Sequence, residues 1–290
     1  MRFDVYLPRN ERQLLAFIAK REKGVTVVAG GTDVLPAILR GGTRPKCLVD
    51  MSHLEDLRHI ALEDGSVRVG ALTRISDFKS QSVVENNYEA FRQVAEGFGG
   101  PSIANMATVG GNICAASSSA DLLPVLLALD ASLVVRSLRG ERTVMIKHFL
   151  LKEGKTRLRA DEIVAEVRLE APKLGTFCSF RKIGRRSSLF MATVSVSTFI
   201  DLDLETLKVK RARVAFNALR SGMPGRAELV ESALIGKKLK RRVIEKATSR
   251  LGKEFSAPSD SKASAEYKLE AATALLKEQL HHTADEASGG

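Results

Sequence analysis

The chain has 290 residues, 44% of them hydrophobic and 27% charged, with a formal net charge of +11, which suits an ordinary globular protein of two or three compact units. No run of about 18 apolar residues occurs, and Met1-Arg2-Phe3-Asp4-Val5 lacks the pattern of an export signal, so a membrane span is excluded and a cytoplasmic protein is expected. Cys47, Cys114 and Cys178 are widely spaced and odd in number, which excludes a disulfide framework and a Cys-x-x-Cys metal or cluster site.

Residues 1 to 57 read as β-α-β-α-β: Asp4-Val5-Tyr6, a helix near Glu11 to Lys20, the β-branched strand Val25 to Val28, a short helix Val34 to Arg40, and Cys47 to Asp50. Residues 58 to 170 read as a longer α/β segment. It carries a strand at Ser66 to Ala71, a helix opened by Asp77 to Ser80, helices Glu85 to Gly97 and Asp121 to Leu129, and strands Ser132 to Arg136 and Glu162 to Leu169. From 171 the pattern changes. The alternating strands Phe190 to Asp201 and Val209 to Ala218 predict an antiparallel sheet covered by helices Arg226 to Leu234, Arg241 to Leu251 and Ala263 to Glu278. The end, residues 281 to 290, reads as a disordered tail.

Two glycine pairs stand out, Ala29-Gly30-Gly31-Thr32-Asp33 and Thr108-Val109-Gly110-Gly111-Asn112, each framed as apolar strand, tight turn and helix. Glycine allows the sharp turn and removes the Cβ atoms that would keep an anion at a distance, while backbone N–H groups at a helix start carry partial positive charge. Thr108 adds a hydroxyl and Asn112 an amide able to donate to a phosphate oxygen. A diphosphate gripped from two sides needs such bends, although each alone also suits an ordinary turn.

Between Glu205 and Arg250 there are thirteen Lys or Arg against four acidic residues, densest at Lys237 to Arg242. Leu234, Ile235, Leu239, Val243 and Ile244 interleave it at helical spacing, and no aromatic stands nearby for base stacking. A solvated helix face, an anionic protein or cofactor surface and nucleic acid are the three readings, in that order. His53, His59, His148, His281 and His282 show no metal-ligand spacing.

Val28 to Asp33, Val69 to Thr73, Ala107 to Ile113, Ala116-Ser117 with Asp121, Arg185-Arg186 and Ser264-Ala265-Glu266-Tyr267-Lys268 follow one another in a distinctive order and spacing. In these motifs, over about residues 2 to 280, the chain resembles the FAD-binding subunit of the xanthine dehydrogenase and carbon monoxide dehydrogenase family of molybdenum hydroxylases. The resemblance implies an α+β fold: a two-lobed FAD-binding domain of the p-cresol methylhydroxylase and vanillyl-alcohol oxidase type, lobe one at 1–57 and lobe two at 58–170, plus a smaller C-terminal α+β domain at 171–280. It implies FAD on this chain, [2Fe-2S] clusters on a small partner subunit and a molybdenum cofactor on a large one, assembled as a dimer of heterotrimers, with NAD or a quinone as acceptor. Substrate oxidation would occur on the large subunit, so no side chain here need be catalytic. A self-contained flavin oxidase of the same domain type is the alternative reading, and a basic nucleic-acid-binding protein a third.

Carried over residue by residue, the resemblance assigns Ala29, Gly30, Gly31, Thr32, Asp33, Thr108, Val109, Gly110, Gly111 and Asn112 to the cofactor's pyrophosphate. It sets Phe98 beside the flavin, Asp121 on the cofactor, Val164 against the flavin, and a cation at Arg181 or Lys182 after the next strand. For four of these a structural role stands alongside: Phe98 and Val164 as core residues, Asp33 and Asp121 as helix caps. The chain departs from several members at Ser187 to Ala192, where serines and Leu-Phe-Met replace acidic residues followed by Ile-Ala. It also lacks the cysteine-bearing insertion that holds a four-iron cluster in the 4-hydroxybenzoyl-CoA reductase branch.

Overall fold

The computed structural model describes residues 2–20, 22–80, 88–184, 191–220 and 223–289. Arg185-Arg186, the family departure up to Phe190, and the first residues of the helix predicted from Glu85 lie outside the described residues. In chain order the longer helices among the described residues are α1 Glu11–Ile18, α2 Val34–Leu39, α3 Glu89–Gly97, α4 Val109–Ala115, α5 Leu122–Ala128, α6 Glu228–Leu234, α7 Arg241–Thr248 and α8 Ala265–Gly289. Where a helix is predicted from Asp77, a 3-10 turn covers Ile75–Lys79. The chain forms two compact units, one of Met1–Asp77, Gly100–Ala116 and Ala131–Glu170, the other of Phe78–Gly99, Ser117–Asp130 and Ala171–Gly290.

In the first unit β1 (Asp4–Tyr6), β2 (Val25–Val28) and β3 (Cys47–Asp50) form a parallel sheet of order β1-β3-β2, as two helical crossovers demand. Asn10 starts α1 by accepting from Gln13 N at 2.9 Å, and the helix buries Leu14, Leu15 and Ile18. Burying those three stabilises by about 1.5–3 kcal/mol each. A second, antiparallel sheet has the order β4 (Ile60–Glu63), β5 (Ser66–Gly70), β10 (Ile163–Glu170), β6 (Ser132–Ser137), β7 (Gly140–Met145), and β8 (Leu150–Lys152) pairs with β9 (Lys155–Thr156) in a two-stranded ribbon. The apolar face of α1 packs with Val49, Met51, Leu57, Leu72, Ile163 and Ala165 in one core, so residues of the two expected lobes share their interior.

The second unit is built on the antiparallel sheet β11 (Thr176–Ile183), β12 (Val194–Leu202), β13 (Val209–Asn217) and β14 (Gly225–Arg226), the predicted class for this part of the chain. Helices α3 and α8 pack on β11, and α5 packs on β12 and β13. The sequence assigns α3 and α5 to lobe two, but they belong to this unit. Every residue of α5 is buried, so the helix needs cover on all sides, and Arg213 and Arg226 of the sheet hold Asp130 at its end, at 2.7 and 2.9 Å. Residues 281–289 are the last turns of α8 instead of the predicted disordered tail. The apolar row Ala272, Leu276 and Leu280 runs on into buried Thr283, with Ala284 and Ala287 packed against the core. The basic run lies on the outside: Lys237, Lys238, Lys240 and Arg242 are exposed and Arg241 pairs with Glu245, while Ile244 and Ala247 of α7 face in.

Candidate functional site

In the first unit the chain leaves β2 at Val28 and reaches α2 through Ala29 to Asp33. Gly31 sits at φ +72, a conformation that a Cβ would strain, and its carbonyl accepts from Leu35 N at 3.0 Å. Gly30 makes the closer approach. A Cβ built there would lie 1.9 Å from the carbonyl oxygen of Met106, two residues before Thr108. The first bend is therefore in contact, backbone against backbone, with the two residues that lead into the second.

The second glycine pair is not the expected turn after a strand: it lies in the first turn of α4, behind the short helix Pro101–Ala104, and is fixed from below. Val109 N donates to Thr73 O at 2.9 Å and Gly110 N to Ala71 O at 2.8 Å, while Ala71 N donates to Ala165 O on β10. A Cβ at Gly110 would meet Ala71 Cβ at 2.8 Å. Thr108 caps α4, its Oγ1 accepting from Gly111 N at 3.1 Å, which leaves the hydroxyl proton to donate outward. Asn112 is buried with its Oδ1 unpartnered among the described residues, an acceptor out of water and open. Val164 is a buried strand residue opposite Val135 on β6. Asp33 is exposed and makes no side-chain cap.

In the second unit Phe98 ends α3 half-buried in extended backbone and is not a core aromatic. Asp121 occupies the cap position of α5 but makes no cap bond. Its Oδ2 instead accepts from Lys182 Nζ at 2.5 Å, both side chains nearly buried, and its Oδ1 is buried and unpartnered among the described residues. Lys182 also runs beside the α3 end, its Cε within 3.2 Å of where a Cβ at Gly97 would stand. Phe98, Asp121 and Lys182 thus share one locality. Burial pushes the Asp121 carboxyl up, against the opposing pull of Lys182 and then Lys262.

Arg181 and Lys182 lie within β11, not after it as the resemblance implies, and successive strand residues face opposite sides. Arg181 points away from Asp121, toward Glu278 on α8 at 3.7 Å, and lines a cavity of about 440 Å³ with Glu89, Gln93 and Gln279. The residue that sequence reasoning missed is Lys262. Its Nζ donates to Ser119 Oγ at 2.6 Å and to Ala192 O at 3.1 Å, contacts 143 and 70 residues away that no local pattern announces.

Residues 1–172 match the family described as the FAD binding domain in molybdopterin dehydrogenase, and residues 179–283 match the CO dehydrogenase flavoprotein C-terminal domain. The chain belongs to the FAD-binding subunits of the xanthine dehydrogenase and carbon monoxide dehydrogenase family. It is an oxidoreductase flavoprotein subunit. It is 30% identical over 265 residues to the xanthine dehydrogenase FAD-binding subunit of Escherichia coli O157:H7, covering 91% of this chain and 90% of that protein. It is 25% identical over 296 residues to the nicotinate dehydrogenase FAD-subunit of Eubacterium barkeri, covering 99% and 98%. Its fold superposes with a TM-score of 0.91 on a carbon monoxide dehydrogenase from Hydrogenophaga pseudoflava, at 25% identity over 97% of this chain and 96% of that one. Among the described residues no helix of this flavoprotein subunit is long and apolar enough to cross a membrane.

Proposed function

We propose that this chain is the electron-relay subunit of a molybdenum hydroxylase, passing electrons between [2Fe-2S] clusters of a small subunit and an external acceptor, NAD or another. The observation that carries the reading is the contact of Gly30 with the backbone that leads into Thr108, with Asn112 Oδ1 of α4 left open among the described residues. These residues fit a bound dinucleotide. Gly111 keeps a side chain off Thr108 Oγ1, which a Cβ there would crowd at 2.9 Å, the Thr108 hydroxyl proton can donate to a phosphate oxygen, and Asn112 Oδ1 suits a cofactor hydroxyl. The family resemblance also assigns Ala29, Gly30, Thr32, Asp33, Val109, Gly110, Val164, Phe98, Asp121 and Lys182 to the cofactor. Lys182 is preferred over Arg181 because it alone joins Asp121.

When bound, FAD takes up electrons singly or in pairs, which couples one-electron iron–sulfur centres to a two-electron acceptor. The chain's own residues bind and orient. Lys182 balances the Asp121 charge in a place closed to water, and the stitched backbone of residues 71–73 and 108–111 keeps the second bend rigid. Relatives named carbon monoxide dehydrogenase medium chain support a small and a large partner subunit, and the fuller assembly we propose from the family resemblance is a dimer of heterotrimers.

Reconstitution of the purified chain with FAD tests the reading. One FAD per chain with flavin absorbance is expected, together with co-purification of a molybdenum-bearing large chain. A colourless chain that takes up no flavin would refute it.

A further inference from the structure

We infer that Lys262 is a positioning residue for the cofactor, acting through Asp121, whose buried open oxygen it helps to hold as an acceptor. This rests on the reading above that Asp121 contacts FAD. Lys262 is held in place by Ser119 Oγ at 2.6 Å, two residues before Asp121, and by the carbonyl of Ala192 at 3.1 Å. Three segments distant in sequence therefore converge on one ammonium: the approach to α5, the start of β12 and the loop before α8.

Among the described residues two charges act on Asp121, Lys182 from β11 first and then Lys262 from the loop. Lys182 occupies Oδ2, so a proton arriving on the carboxyl would go to Oδ1, turning the open acceptor into a donor. Burial favours that proton, and the second cation opposes it. Lys262 thus adds to Lys182 in lowering the pH at which the acceptor is lost.

The test is FAD titration of the full-length apo-chain across the acidic range, read by quenching of flavin fluorescence. Lys262→Gln keeps hydrogen-bonding atoms and loses the charge, Lys262→Arg keeps both, and Asp121→Asn marks the group itself. The pH midpoint for loss of FAD affinity should move up by about one pH unit in Lys262→Gln, the low end for removing a neighbouring opposite charge, and stay at the wild-type value in Lys262→Arg. A role confined to packing would lower affinity equally at every pH and would overturn the inference, as would an unchanged Lys262→Gln profile. If Asp121→Asn weakens binding while Lys262→Gln leaves the profile alone, the inference alone falls. If Asp121→Asn binds FAD like the wild type, the assignment of Asp121 beneath it falls as well. Melting curves of each variant identify any that fail to fold, and Ser119→Ala, which removes the 2.6 Å anchor of Lys262, then gives the same upward shift or overturns the inference.

Discussion

Gly30→Ala adds a single methyl group where the structure leaves no room for one. The new Cβ would lie 1.9 Å from Met106 O, 2.7 Å from the Met106 carbonyl carbon and 3.1 Å from Ala107 Cα, all backbone atoms that cannot rotate away. Relief requires the two bends to separate by about 1 Å in a close-packed interior, and overpacking of this kind costs about 1–3 kcal/mol. If FAD spans the bends, the same displacement weakens its binding by about 5- to 150-fold, at 1.4 kcal/mol per tenfold. The obstruction acts first on the neighbouring bend and only then on a bound anion. FAD titration and thermal melting of the variant measure the two effects, with Gly42→Ala as control, because its Cβ would meet nothing nearer than Ala37 O at 3.4 Å. Wild-type flavin affinity together with a wild-type melting temperature in Gly30→Ala would refute the claim that the bends form one cradle.

Lys182→Met leaves the buried Asp121 carboxylate without its 2.5 Å partner and should destabilise the chain by about 3–5 kcal/mol, with Lys182→Met/Asp121→Leu costing less than the sum of the singles; additive effects in a denaturant double-mutant cycle would deny the coupling. Arg181→Ala, on the other face of β11, should leave FAD affinity at the wild-type value in the same titration. Asp260 accepts from buried Lys268 Nζ at 2.7 Å, which holds its pKa down at about 2 against an ordinary 3.8. A carboxyl with a depressed folded-state pKa stabilises above its unfolded value and loses that contribution as pH falls, here from about 4 down through about 2. Solvent screening of the half-exposed Asp260 limits the effect to about 1 kcal/mol. Lys268→Met should abolish that part of the acid dependence in urea melts, and an unchanged acid limb would show that the pair contributes nothing.

What the sequence determined by itself was local. The strand Val25–Val28 and the first glycine bend depend on a β-branched run and on Gly31 at φ +72, properties written in a few consecutive residues, whereas Gly110 and Gly111 fall inside α4 and are reached from the short helix Pro101–Ala104 instead of the expected strand. The antiparallel class of the C-terminal sheet followed from period-two alternation in the same way. Tertiary structure decided what each element touches. Helices α3 and α5 pack on the C-terminal sheet, α3 through the buried face Ala90, Phe91, Val94 and Ala95 and α5 because it is apolar throughout and needs cover on all sides, and periodicity does not say where that cover is. The last turns of α8 fold because Thr283, Ala284 and Ala287 find a core to lie on, though their polar neighbours read as a tail. Gly30 against Met106, Lys182 with Asp121 and Lys262 at Ser119 each join residues dozens to more than a hundred positions apart. Such pairs are made by the packing of whole elements, and nothing in the neighbouring sequence encodes the partner.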